Sequence, residues 1–306
     1  MTRIDQIARP SGVRAPHANA GHRRRIHPYL FVLPYTVMLL ALGVGPAGYA
    51  IYLAFTHASG DFAGFSNFTQ AADDYRFWPA FENAFRYVAI WVLLLLVFAV
   101  GLALLLFRRP PRAAASFRVA YFLPGAFAGA ASGLVWLFML DPAVSPAGGL
   151  LRLLGLDSLT RVLEPGQLPF VFATIAFWTG AGGWILVMTG GLNNIPRELS
   201  EAARIDGCNT LQRALYIELP LLRKWIAYMA ILAFAAGTQI FVEPQLVMAA
   251  SLGVVPAWWS PNQLAYLYAF QQGDFQVAAA ISVELLLAAL ICAAVIVNRT
   301  GLFDIE

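Results

Sequence analysis

Charge is what this sequence has least of. Asp, Glu, Lys and Arg make up 12% of its 306 residues, while 59% are hydrophobic; a soluble domain carries about 25% and about 45–50%. A water-soluble protein is thereby excluded, and the chain belongs in a bilayer. Lysine is almost missing, since Lys224 is the one Lys among 20 basic residues. It lies in Leu222-Arg223-Lys224-Trp225, whereas a phosphate-binding loop needs G-x-x-x-x-G-K-[ST]. A Walker-type ATPase within the chain is excluded too. The two cysteines, Cys208 and Cys292, have no paired spacing, so neither a disulfide framework nor a thiolate metal site is expected. All four histidines (His17, His22, His27, His57) fall outside the apolar blocks, leaving no metal site among them. A net charge of +3 is too small to argue for nucleic acid.

What is present is apolar sequence in blocks. Six stretches reach the roughly 20 residues that a spanning helix needs: about 29–55, 85–107, 119–140, 168–192, 225–249 and 277–297. No β-barrel alternation is visible, and lipid permits no third kind of span. The expected fold is an all-α integral membrane bundle of six transmembrane helices over 29–299. The first block is too long for a signal-peptide core and is read as retained. Residues 1–28 form an Arg-rich tail with the composition of disorder, and 300–306 a short C-terminus. Sixteen of the twenty basic residues fall in the N-terminal tail, the second and fourth loops and the C-terminus. Cytoplasmic segments collect Lys and Arg, so both termini are expected in the cytoplasm. Gly125, Gly129 and Gly133 in the third block, and Gly180, Gly182, Gly183, Gly190 and Gly191 in the fourth, suit close helix approach. Both spans are expected inside the bundle.

The fourth loop is the informative one. Pro196 suits a first helical turn, Glu198 and Glu201 lie near its positive dipole end, and Gly207 is placed to end or bend the helix. A short helix, a break and a second helix up to Pro220 are expected. Glu201-Ala202-Ala203, Gly207, Ile217 and Leu219-Pro220 then stand at E-A-A-x3-G-x9-I-x-L-P spacing. This resembles the signature of permease subunits in binding-protein-dependent ABC importers, at seven fixed residues. The resemblance implies a type I importer permease fold in which 194–220 is the cytoplasmic coupling segment, docking on an ATPase subunit through Glu201, Ala202, Ala203, Asp206, Gly207, Ile217, Leu219 and Pro220.

Weaker patterns run in order over nearly the whole chain and resemble the carbohydrate branch, which contains the maltose and glycerol-phosphate importers. They are Tyr29-Leu30-Phe31-Val32-Leu33-Pro34 with Tyr52-Leu53-Ala54-Phe55-Thr56, then Gly64-Phe65-Ser66-Asn67-Phe68, then Tyr121-Phe122-Leu123-Pro124. The family implies a bacterial inner-membrane complex with a second permease, an ATPase dimer that binds ATP and Mg²⁺, and an extracytoplasmic substrate-binding protein. No cofactor is expected on this chain, which carries out no bond chemistry. Counting from Glu201 onto the maltose importer's sugar-contacting spans gives Thr179, Gly180, Ala236, Gly237 and Ile240 as pathway positions, which are mostly small and apolar.

Gln239 and Glu243 supply polarity nearby, with Glu243 three residues beyond Ile240 on one helical face and Pro244 suited to a broken helix. Glu243 either lines the pathway or is solvated at the outer interface, and Glu284 either lines the pathway or bonds between helices. Trp258 and Trp259 are read as interfacial anchors in a loop that could dock the binding protein. The neutral spans suit a sugar, and the alternative cargo is a polyamine, a phosphate ester or a metal complex. A membrane enzyme or channel would need clustered intramembrane His, Asp or Ser, or a repeated pore motif, and the sequence shows neither.

Overall fold

The computed structural model describes residues 29–126, 130–251 and 253–300. The tail expected over 1–28 and residues 301–306 lie outside the described residues. Two units are distinguished, 1–48 and 49–306. In its described part the first unit is helix, part of α1 (Leu30–Ala54). It is apolar on every side and exposed along its length, with Phe31 at 78% and Leu42 at 73%. Such a helix needs lipid or another chain around it.

The second unit is all helical among the described residues, apart from one isolated bridge between Thr56 and Phe62. After α2 (Ser66–Asp73) comes α3 (Phe77–Phe107), which starts eight residues before the expected span. Glu82, expected in the first outer loop, lies within the helix and pairs with Arg86 on its exposed side. Phe77, Ala80, Phe81 and Ala84 are buried at i, i+3, i+4 and i+7, so amphipathicity extends the helix outward.

The expected third span, 119–140, is represented by α4 (Pro111–Ala126) and α5 (Ala130–Leu140), on either side of residues 127–129, which are not described. Two short helices, α6 (Gly148–Leu153) and α7 (Leu159–Val162), lead to α8 (Leu168–Asn193). α8 is central: Phe172, Ile175, Ile185 and Met188 are buried against Tyr87, Trp91 and Leu95 of α3.

The glycines do what their spacing suggests at particular points. A Cβ on Gly182 would run into the Tyr121 carbonyl and the Phe122 backbone, and one on Gly125 would sit 2.8 Å from the Thr179 carbonyl. Backbone therefore meets backbone between α4 and α8. Gly183, one residue on, faces open space. Gly182→Ala is expected to destabilise by about 1–3 kcal/mol through overpacking, whereas Gly183→Ala is expected to be neutral or slightly stabilising. Thermal unfolding of the two variants in one detergent checks this, and equal shifts would contradict it. The expectation that both spans lie inside the bundle holds for α8 only. Val119, Phe122, Leu123 and Phe138 are exposed, because among the described residues only one face of α4 and α5 has a partner.

Beyond α9 (Arg197–Ile205), α10 (Thr210–Gly237) is continuous through Pro220, which corrects the expectation that a helix ends there. A π turn at Ala214–Glu218 immediately precedes Leu219-Pro220. It shifts the hydrogen-bond ladder where proline has no N–H to donate. The expected fifth span, 225–249, is likewise corrected. α10 stops at Gly237, residues 238–241 are non-helical, and α11 (Val242–Ala250) begins anew. Pro244 breaks nothing, since it occupies the first turn of α11, where its missing N–H has no partner to lose. Residues 261–272, the last six as a π turn, form α12, and Gly273 at φ +74° turns the chain into α13 (Phe275–Thr300).

Candidate functional site

The segment 194–220 folds as a two-helix corner, and its residues explain the corner locally. At the end of α9 the N–H of Cys208 bonds the Ala203 carbonyl (2.9 Å) and the N–H of Gly207 bonds the Arg204 carbonyl (3.2 Å). This paired cap needs a left-handed residue, and Gly207 has φ +81°. α10 starts at once: the Asn209 side chain accepts from the Gln212 N–H (2.9 Å), and the Gln212 side chain accepts from the Asn209 N–H (2.8 Å). A reciprocal box of this kind fixes a helix start.

Glu201, Ala202, Asp206 and Gly207 are exposed on the corner, whereas Ala203 is buried at 5% and faces its own chain. Ile217 and Leu219 are half-buried and Pro220 is exposed. Around them stand large apolar side chains that spacing alone did not single out: Ile205 at 87%, Tyr216 at 77% and Leu211 at 66% exposure. A charged segment that also shows this much apolar surface is built to be covered.

Glu218, the unspecified residue of I-x-L-P, is buried at 3%. Its Oε2 accepts from Arg108 Nη2 at 2.7 Å, and Arg213 Nε lies 3.5 Å from Oε1. Arg108 caps the far end of α3. The carboxylate therefore ties the corner to the second span across 110 positions of sequence.

The pathway positions do not converge on one surface. Gly237 is packed so tightly against Val88 and Trp91 that a Cβ would lie 2.8–3.0 Å from them. Gly180 faces the same indole, and the Thr179 hydroxyl bonds back to Ile175 and Ala176 of its own helix. Ala236 and Gln239 are exposed, and Ile240 is buried. Because 238–241 is not helical, the shared helical face inferred for Ile240 and Glu243 does not exist; Glu243 is half-buried in the first turn of α11. The carbonyls freed by the break are taken up from α12 and the residue before it. Ser260 Oγ donates to Ile240 O (3.0 Å) and Asn262 Nδ2 to Thr238 O (3.0 Å). Non-helical backbone at membrane depth is tolerated where it is held this way or lines a cavity.

At the opposite end of the unit from Glu218, Asp74 accepts from Arg76 (2.6–3.0 Å) and from the Tyr268 hydroxyl (2.6 Å). Burial pushes the Asp74 carboxyl up, but these hydrogen bonds outweigh it and hold the pKa at about 2. The stability so gained is complete above the ordinary value of 3.8 and is lost as pH falls toward 2.

No family model matches the chain. The arabinooligosaccharides transport system permease protein of Halalkalibacterium halodurans is 27% identical over 286 residues, 92% of this chain and 89% of that protein. A chain in the crystal structure of a bacterial ABC transporter involved in the import of alginate shares the fold. Its TM-score is 0.74 at 18% identity, covering 90% of this chain and 96% of that one. The sn-glycerol-3-phosphate transport system permease protein of Agrobacterium fabrum is 31% identical over 206 residues, 65% of this chain and 69% of that protein. This chain belongs to the carbohydrate branch of the ABC importer permeases.

In this permease Trp259 is not an interfacial anchor. It is buried at 1%, edge-on to Phe172 with ring centroids 4.6 Å apart; two adjacent tryptophans before Pro261 read alike in sequence, but only Trp258 stays near the surface, edge-on to Tyr75. Trp178 and Trp136 meet each other edge to face at 6.3 Å. Glu284 of the permease makes no hydrogen bond among the described residues, so the inter-helix bond considered for it is not seen there; it lines a cavity with Phe77, Trp78 and Phe81.

Proposed function

We propose that this permease forms half of the translocation pathway of an ATP-driven importer for a sugar or sugar-like solute, delivered by an extracytoplasmic binding protein. The ATPase, with its ATP and Mg²⁺, belongs to partner subunits, and the six spans alternate access around a site near the midplane. The observation that carries the reading is the corner at Gly207, a rigidly capped helix pair whose outer surface combines Glu201, Ala202 and Asp206 with exposed Ile205, Leu211 and Tyr216. That surface suits a partner that pushes on it, and the Glu218 to Arg108 bridge offers a rigid route from it to the second span.

The proposed sidedness, with both termini cytoplasmic, rests on the basic residues of the tail, the second and fourth loops and the C-terminus. Arg108 of the second loop meets Glu218 of the fourth, and Asp74 of the first meets Tyr268 of the fifth, so even-numbered loops share one side and odd-numbered loops the other. At the break the exposed polar side chain is the amide Gln239, and no basic side chain stands between Thr238 and Gln245. Relatives named for arabinooligosaccharides and diacetylchitobiose support a sugar cargo.

Purification in mild detergent through a tag on this subunit is the direct test. An ATPase subunit and a second permease are expected to come with it, in a complex that hydrolyses ATP. Recovery of the chain without any ATPase would overturn the reading.

A further inference from the structure

The helix break opens beside a groove to which none of the foregoing assigns a use. α12 turns one stripe toward it, Asn262, Ala265, Tyr266, Ala269 and Phe270, at i, i+3, i+4, i+7 and i+8. α13 supplies Ala278, Ala279 and Ser282 opposite, and Phe241 of the break stands at the edge. The four alanines contribute only methyl groups, so the two helices leave a cavity of about 310 Å³ between them.

Rings stand along this space in an unbroken series. Phe241 to Tyr266 is 5.5 Å between centroids, Tyr266 to Phe270 is 4.9 Å, and Phe270 to Phe275 is 6.2 Å. They run from the break to the start of the last span, and they are open: Tyr266 is 38%, Phe275 50% and Phe270 69% exposed. Aromatic side chains that belonged to the core would be covered, as Phe172 and Trp259 are.

The polar groups here have capacity to spare. Asn262 donates through Nδ2 to the break, while its Oδ1 accepts no bond among the described residues. Ser282 donates to Ala278 O (2.9 Å) and keeps its lone pairs. Gln239 is exposed two residues before Phe241. A cavity elsewhere on the unit, between Phe85, Leu93 and Ile296, is lined by hydrocarbon alone. That one suits a lipid tail or an apolar helix, and the mixed groove does not resemble it.

We infer that the groove between α12 and α13 is a subsite for a neutral saccharide, with Tyr266 and Phe270 stacking on sugar rings and Asn262 Oδ1 and Ser282 Oγ accepting from sugar hydroxyls. A sugar ring has an apolar C–H face and a polar rim, which matches aromatic faces carrying partial negative charge flanked by a few placed acceptors. The series of rings then leads the solute toward the break at 238–241. The assignment rests on the sugar-importer reading and adds to it a place where the sugar is held.

Cells carrying the complete transporter are given a panel of labelled neutral mono- to trisaccharides, arabinotriose and maltotriose among them. For the sugar imported, Phe270→Ala and Tyr266→Ala are expected to lower the maximal uptake rate about tenfold, by loss of one stacking contact, while the apparent KM, which the binding protein sets, stays as in wild type. The amount of protein in the membrane should stay within about twofold, since Phe270 lies outside the core. Phe270→Tyr should restore the rate and Phe270→Leu should not. An unchanged maximal rate in both alanine variants overturns the subsite alone. Rescue by leucine as complete as by tyrosine also overturns it, because a lipid or a partner helix needs only apolar area. Import of no neutral sugar by the wild-type transporter overturns the sugar reading and the subsite with it.

Discussion

Gly207→Arg is expected to leave the permease in the membrane and to reduce uptake more than about 100-fold, while Gly207→Ala keeps much of it. The two substitutions share one cost, since any L side chain at φ +81° loses about 1–2 kcal/mol in the left-handed region. If that strain were the whole effect, alanine and arginine would be equally impaired. They should differ, because a Cβ at Gly207 meets nothing within 4 Å in this chain. An arginine there projects from the corner between Asp206 and Cys208, into the space that the ATPase is proposed to occupy. Uptake, ATPase activity and co-purification of the ATPase, measured on both variants, check this. Normal uptake by the arginine variant would remove 194–220 from the coupling role. Glu201→Lys reverses a charge on the same exposed surface and should behave like arginine at 207.

Glu218→Ala is expected to act through the fold. It leaves Arg108 and Arg213, whose side chains are only 21% and 17% exposed, facing each other with no counter-ion. Removing one partner of a buried pair typically costs about 3–5 kcal/mol, much of it from the charge left behind. A lower unfolding temperature in detergent and less protein in the membrane should follow. Glu218→Gln keeps an acceptor without the charge and should fall between alanine and wild type. Arg108→Ala combined with Glu218→Ala should be less damaging than the two single effects added together, with a coupling above about 1 kcal/mol. Strict additivity would show that the 2.7 Å contact carries no stability. If the pair does transmit motion from the corner to α3, the surviving Glu218→Gln protein should hydrolyse ATP with less uptake per ATP than wild type.

Much of this molecule is legible one segment at a time. The composition requires a bilayer, and the apolar blocks locate the membrane-crossing helices α1, α3, α8 and α13. α9 and its end at Gly207 follow from local rules, because cap residues act within one turn. Segmental reading failed at two prolines, one for a local reason and one for a remote contact. Pro220 continues a helix because a π turn, which hydropathy does not register, shifts the hydrogen-bond ladder just before it. Pro244 opens a helix because the chain has already broken at 238–241, where Ser260 and Asn262 hold the free carbonyls. Hydrophobicity does not register such a break, since Thr238 to Phe241 is as apolar as many helices.

By itself, then, the sequence determined the solvent, most of the spans and the spacing from Glu201 to Pro220, all of which depend on residue type and near neighbours. Only the tertiary structure decided that Ala203 faces inward while Ala202 faces out, that Glu218 is buried between two arginines, that Trp259 is core, and that Tyr266 and Phe270 stand open over alanines. The physical reason is common to all four. Burial, and the pairing of a buried charge, depend on what another part of the chain brings to within a few ångströms, and neither periodicity nor spacing encodes that.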